Sequence, residues 1–130
     1  CIRDRKKVEA GANFVMTQPF FAIEDWLAFQ QRLAGRFSIP FLLGVWPLIS
    51  AAQAQRVNEN VAGVAIPERI CKQLEAAGAE ARQLGFDMAA RFVAELERSQ
   101  TAAGVYVVAP FKQPSQGLQV LEKAAQAQRT

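Results

Sequence analysis

The chain has 130 residues, of which 51% are hydrophobic and 21% charged, a composition typical of one folded globular domain and not of a disordered or fibrous chain. The formal net charge is only +3, and the one basic cluster (Arg3, Arg5, Lys6 and Lys7) has no aromatic residues interleaved in it, which argues against nucleic acid as a partner. The sequence has neither a long apolar run nor a signal-peptide pattern, so we expect a cytoplasmic protein without membrane association.

The residue inventory limits the chemistry. The chain contains no His, so it cannot build a His-based general base or a His-containing zinc site. Its two cysteines, Cys1 and Cys71, lie at a chain end and in a predicted helix, a spacing that suits neither a disulfide framework nor a metal centre. We expect both to be reduced and structural, and we expect no metal.

Three short apolar runs predict β-strands, at residues 14–17, 41–45 and 105–108. Each run ends in a polar or ring-bearing corner followed by a helix-forming stretch, which is a βα unit repeated three times. Such units form a parallel sheet whose ligand chemistry lies at the carboxyl ends of the strands. Three strands alone leave two unpaired edges, and the sequence begins at Cys1 inside a charged, helix-like stretch. We therefore expect a truncated barrel.

Helices are predicted before and between the strands. Residues 3–10 have the pattern of a helix end closed by Gly11. Ser50 and Gln53 fit a capping box after the second strand, Pro67 suits the first position of a further helix, and residues 80–99 form a long one. The apolar stripes expected to be buried are Trp26, Leu27, Phe29 and Leu33 in one helix, and Leu84, Met88, Phe92 and Leu96 in the long one.

The last predicted helix follows the third strand. We expect Ser115 to cap it, because a serine hydroxyl can accept a hydrogen bond from an unpaired N–H of the first turn. We expect its buried positions to be Leu118 and Leu121.

The strand ends favour binding over proton transfer. The residues there include no carboxylate, imidazole or thiol that could move a proton at neutral pH. Gln18 offers an uncharged amide that can hydrogen-bond the amide-like edge of a heterocycle. Phe20, Phe21 and Trp46 can give a flat ligand an apolar surface, although core packing is the ordinary role of such residues. We take Phe20 as a candidate substrate-binding residue and assign no catalytic residue.

Several segments of the sequence resemble a known protein family. Residues 7–21, KVEAGANFVMTQPFF, and 39–48, IPFLLGVWPL, resemble the C-terminal part of methylenetetrahydrofolate reductases. Residues 65–68, AIPE, and 104–111, GVYVVAPF, are similar to the reductase variant fused behind a homocysteine S-methyltransferase module. That family folds as an eight-stranded βα (TIM) barrel that holds FAD. The resemblance implies an α/β fold in which residues 1–130 are the C-terminal portion of the barrel, its last three parallel strands with their helices.

The resemblance also implies a function in one-carbon metabolism and methionine biosynthesis. The family reduces 5,10-methylenetetrahydrofolate to 5-methyltetrahydrofolate with NAD(P)H through FAD. By motif position, Gln18 would contact the folate and the nicotinamide at the flavin face, and Lys7, with Lys6 less directly, would lie by the FAD phosphates. Gln53 matches a second folate-contacting residue, a role that competes with its place in the capping box. The rest of the barrel and an upstream methyltransferase module are the implied partners.

Some positions depart from the family pattern. Val57 stands where many members have a stacking aromatic residue, and Lys112, Gln113 and Pro114 follow Phe111 where an Arg is usual. The glutamate that protonates the folate belongs to an early strand of the family barrel and has no counterpart here, so the chain alone should not turn over.

Two alternative functions stay open: a noncatalytic βα remnant that acts as a scaffold or interaction module, and a segment of another α/β barrel enzyme without flavin. The unpaired strand edges also predict association into homo-oligomers or aggregates.

Overall fold

The computed structural model describes residues 2–33, 35–36 and 38–129. The strands are β1 (Val15–Pro19), β2 (Phe41–Val45) and β3 (Gly104–Val107). The α-helices are α1 (Ile2–Glu9), α2 (Ile23–Leu33), α3 (Ala51–Asn60), α4 (Glu68–Ala77), α5 (Ala81–Ser99) and α6 (Pro114–Arg129). Short 3₁₀ turns at Gly78–Glu80 and Pro110–Lys112 precede α5 and α6. The three predicted βα units are present; β2 has the predicted ends, whereas the ends of β1 and β3 are shifted by one or two residues.

The three strands form one parallel sheet in the order β1-β2-β3, which confirms the predicted direction and neighbours. Along β2 and β3 the register is regular, from Leu42 opposite Gly104 to Val45 opposite Val107. In the part of the chain that the structure describes, β1 and β3 each pair on one side only, so the sheet is open at both edges.

The main core lies on one face of the sheet, beneath α2, α5 and α6. Leu43 and Val45 point into it from β2 and are fully buried, as expected for alternate residues of a strand covered by helices. Trp26 of α2 is also fully buried, and its indole Nε1–H donates a 2.8 Å hydrogen bond to the Thr101 hydroxyl before β3. On the opposite face Leu42 is half-buried and Met16 is exposed, so this face carries no comparable core.

A second cluster lies beyond the carboxyl end of β2. Its largest buried members are Leu48, Ile66, Ile70 and Leu74, and α3 and α4 pack around them. The predicted long helix serves both clusters: Leu84 and Met88 pack against the second cluster, whereas Phe92 and Leu96 lie in the main core. This arrangement explains why α5 is apolar along most of its length.

The expectation for the closing helix was wrong in two respects. Helix α6 begins at Pro114, so Ser115 lies inside the first turn and does not cap the helix. Leu118 and Leu121 are exposed, and α6 instead buries Gly117, Val120 and Ala124. The face that packs on the sheet carries the smaller side chains, and a Cβ at Gly117 would make an ordinary contact of 3.5 Å with Val107 Cγ1 of β3.

None of the helices in the described ranges is both long enough and apolar enough to cross a membrane. Those ranges also contain no group of three or more potential metal-ligating side chains. Cys71 is a half-buried free thiol, whereas the expectation for Cys1 lies outside the described residues.

Candidate functional site

A groove of about 570 Å³ runs along the unpaired edge of β1. Consecutive residues of β1 line this groove. Because the side chains of consecutive strand residues point to opposite faces of a sheet, the groove follows the edge of the sheet and not one face. Gln18 enters it from the carboxyl end of β1, and Lys7 enters it from α1. Phe14 and Met16 supply exposed apolar surface, each with 54% of its area accessible to solvent.

A β-bulge presents Gln18 to this groove. Met16 pairs with Leu42 and Pro19 with Gly44, so three steps along β1 match two steps along β2, and the extra residue falls at Thr17–Gln18. A bulge of this kind redirects a side chain at the end of a strand. Regular pairing resumes at once, because Phe20 N–H donates a 3.0 Å hydrogen bond to the Gly44 carbonyl.

Hydrogen bonds hold the bulge in place. The Thr17 hydroxyl accepts from Gly44 N–H at 3.3 Å and donates to the Gln18 carbonyl at 2.8 Å. The Tyr106 hydroxyl, from β3, donates to the Thr17 carbonyl. Hydrogen bonds therefore connect the polar groups around Gln18 to all three strands.

The loop after α3 covers one side of Gln18. Gly63 has a φ of +82°, and a Cβ built there would lie 3.7 Å from Gln18 Cγ and 3.9 Å from its Nε2. A side chain at this position would carry the strain of left-handed backbone, and its Cβ would be in van der Waals contact with the Gln18 side chain. Gly63 thus allows the loop to approach Gln18 closely.

Charge in the groove is mixed. Asp4 and Lys7, three positions apart on α1, both line it, whereas Lys6 is exposed on the same helix but outside the groove. The strand ends alone gave no carboxylate, so Asp4 was missed by the sequence analysis. The only available signal was its helical spacing from Lys7, which places both residues on one face.

The sequence comparison identifies the family. A family model for methylenetetrahydrofolate reductase matches residues 2–123, nearly the whole chain. The chain belongs to the methylenetetrahydrofolate reductase family. This confirms the family that the sequence resembles and makes the chain an α/β member of a folate-dependent reductase family. Gln18, Lys7 and the rest of the groove lie inside the matched residues.

In this reductase-family chain Phe20 has two environments. It lines the groove, but its ring also packs edge-on against Trp26, with centroids 5.6 Å apart, and tilts against Phe29 at 5.9 Å. Most of its contacts are therefore those of a core residue. Only part of the ring can face a ligand.

The structure does not bring every predicted site residue of this reductase-family chain to the groove. Gln53 Oε1 accepts from Ile49 N–H at 2.8 Å, and Gln53 N–H donates to the Ser50 hydroxyl at 3.1 Å, which confirms the capping interaction at α3. Trp46 packs in the second cluster, away from Gln18. Lys112 is exposed near the start of α6 and does not line the groove either.

Proposed function

We propose that this chain forms part of the folate and flavin site of a FAD-dependent reductase that converts 5,10-methylenetetrahydrofolate to 5-methyltetrahydrofolate with NAD(P)H. The observation that carries the proposal is that Gln18 and Lys7, which come from separate elements, line one groove. A protein group here would bind and orient ligands, because the redox chemistry belongs to the cofactor.

The donor set of the groove fits FAD. The Lys7 ammonium suits a phosphate, and the uncharged Gln18 amide at the carboxyl end of β1 can hydrogen-bond a ring edge. Phe14 and Met16 lie along the edge of β1, where the preceding strand of a barrel would pair, so they are not assigned to the cofactor. When bound, FAD would accept hydride from the nicotinamide and deliver it to the folate. Asp4 offsets part of the Lys7 charge, so we expect the uncharged contacts to contribute more to cofactor affinity than Lys7 does. Lys6, outside the groove, would act only through longer-range attraction.

Gln18 is the proposed folate and nicotinamide contact. Its side chain is exposed in the groove and carries both donors and an acceptor without a charge. An uncharged group can serve two different ligands in turn, since neither has to pair with a fixed ion. A folate contact from Gln53 would use its NH₂ group, because its carbonyl oxygen accepts a hydrogen bond from Ile49 N–H.

We further propose that the three-stranded sheet is an arc of a (βα)₈ barrel, with residues 1–130 as its C-terminal portion. The support is the parallel order, the helices packed against one face, and the two open edges. In this arrangement the remaining strands of the barrel, an upstream homocysteine methyltransferase module and a second copy of the protein are the candidate partners.

Flavin binding gives the first test. The chain is purified alone and together with any coding sequence that precedes it, and the visible absorbance of bound FAD is measured. We expect yellow protein when the upstream sequence is present. A folded but colourless product in both forms would contradict the flavin proposal and favour the noncatalytic scaffold.

Gln18 gives the second test. In the flavin-bound protein, Gln18→Glu should slow the oxidation of reduced flavin by 5,10-methylenetetrahydrofolate at least tenfold and weaken FAD binding by a smaller factor, because the rest of the groove still contacts the cofactor. Gln119→Glu, an exposed position on α6, introduces the same charge away from the groove and should change neither quantity. Equal loss of FAD binding and flavin oxidation in Gln18→Glu would show that Gln18 is only structural.

A further inference from the structure

Tyr106 links the two edge strands of the sheet. It lies on β3, yet its hydroxyl donates a hydrogen bond to the Thr17 carbonyl on β1, with β2 between them. The two residues are 89 positions apart in the sequence, so no local pattern relates them. The contact places a phenol against the bulge that presents Gln18.

Gly44 makes this crossing possible. It is the residue of β2 that pairs with Tyr106, and a Cβ built on it would lie 2.7 Å from Tyr106 Oη and 2.9 Å from Cζ. The same Cβ would lie 3.0 Å from Pro19 Cα on the other side. Any side chain at Gly44 would therefore displace the phenol ring or β1, and glycine leaves the gap through which Tyr106 reaches Thr17.

The Thr17 carbonyl belongs to the same planar peptide unit as the Gln18 nitrogen, so fixing that carbonyl fixes the direction in which the chain enters Gln18. Bulge residues lack the regular ladder bonds that would otherwise hold them. We propose that Tyr106 is a positioning residue that sets the direction of the Gln18 side chain in the groove. Its consequence for ligand binding rests on the function proposed above.

The first experiment needs no ligand. In isotopically labelled protein, nuclear Overhauser contacts between the Gln18 side chain and Gly63 report the position of the amide beneath its covering loop. We expect Tyr106→Phe, which removes only the hydroxyl, to weaken or abolish these contacts. Ser115→Ala removes an exposed hydroxyl on α6 that does not line the groove and should leave them intact. Unchanged Gln18–Gly63 contacts in Tyr106→Phe would overturn the proposal.

The second experiment measures affinity for 5-methyltetrahydrofolate. We expect Tyr106→Phe and Gly44→Ala each to weaken binding about tenfold, and the double variant to weaken it no further, because both changes break the same contact. Losses that add in the double variant, or a Tyr106→Phe affinity equal to wild type, would overturn the proposal. If Gly44→Ala does not fold, Tyr106→Phe decides alone. A wild-type protein that binds no folate contradicts the proposed function, and the Gln18–Gly63 contacts then decide the positioning role by themselves.

Discussion

Gly85 of α5 lies against the backbone carbonyl of Leu48, so closely that a Cβ on Gly85 would overlap the carbonyl oxygen and lie 2.7 Å from the carbonyl carbon. Leu48 is the buried residue through which the segment after β2 enters the second cluster. Backbone cannot move aside as the end of a flexible side chain can. The contact therefore fixes where the long helix sits relative to the carboxyl end of the sheet.

We predict that Gly85→Ala destabilises the protein by about 3 kcal/mol, the upper end of the usual cost of overpacking. Gly117→Ala is the matched control, because it is also a buried helical glycine but its Cβ would have only ordinary contacts, the nearest at 3.5 Å. It should be neutral or stabilising by up to about 1 kcal/mol, since alanine favours helix over glycine. Urea unfolding measures both, and equal effects of the two substitutions would contradict the close contact at Leu48.

Removing the Thr101 hydroxyl should destabilise the protein, because it leaves the Trp26 indole N–H without a hydrogen-bond partner. Trp26 is fully buried and its Nε1–H donates to Thr101 Oγ1 at 2.8 Å. Thr101→Val keeps the shape but leaves this donor without its partner, so we expect a loss of about 1–3 kcal/mol in the free energy of unfolding. Thr101→Ser keeps the hydroxyl and should cost clearly less. A Val variant as stable as the Ser variant would count against the bond.

The ion pair between α5 and α6 predicts a small pH dependence. Lys123 Nζ lies 2.6 Å from Asp87 Oδ1, and this hydrogen bond, with a further one from Gln83, lowers the pKa of Asp87 below its ordinary 3.8 against the opposing effect of burial. A carboxyl group whose pKa is lower in the folded state stabilises that state above the ordinary value, and the stabilisation disappears as pH falls through the lowered one.

We therefore expect Asp87→Asn to reduce stability at neutral pH by less than about 1 kcal/mol, because Asp87 is 47% exposed. The difference from wild type should shrink as pH falls below 3.8. Denaturant unfolding at several pH values measures it, with Glu122→Gln on the exposed part of α6 as the control. A difference that is the same in acid and at neutral pH would refute this account.

Open edges and exposed apolar side chains predict self-association. Both outer strands are unpaired on one side in the described residues, and Leu118 and Leu121 project from α6 into solvent. We expect concentration-dependent dimers or larger species in sedimentation velocity. Leu118→Glu with Leu121→Glu should raise the monomer fraction without loss of stability, because neither residue lies in the buried stripe of α6. A wild-type chain that stays monomeric at high concentration would argue against the proposal that the sheet is an arc of a barrel.

The sequence predicted the elements and their order well, because Leu43 and Val45 lie in an uninterrupted apolar run and Trp26 and Leu33 recur at helical spacing. It failed at α6, where Leu118 and Leu121 are the larger apolar residues but Gly117, Val120 and Ala124 face the sheet. The two sets have the same helical spacing, so spacing did not distinguish them. Hydrophobicity alone could not indicate the buried face.

The site was predictable only in part. Gln18 stood out because it lies at the end of a strand, and the structure places it in a groove that Lys7 also lines. The bulge was not predictable, since it depends on Gly44 and Tyr106, which are distant in sequence and meet only once the three strands have aligned. Gln53 shows the opposite case, because its helix-capping role was local and could be inferred directly.

The connection between β2 and β3 affects how the chain reaches its folded state. Val45 and Val107 are paired neighbours, yet α3, α4 and α5 all lie between them in the sequence. The ends of this long segment must meet before the pairing gains any stability, and such non-local contacts slow folding. During synthesis, β2 emerges well before β3 and has no partner on that side until β3 follows. We therefore expect the docking of β3 to limit the refolding rate.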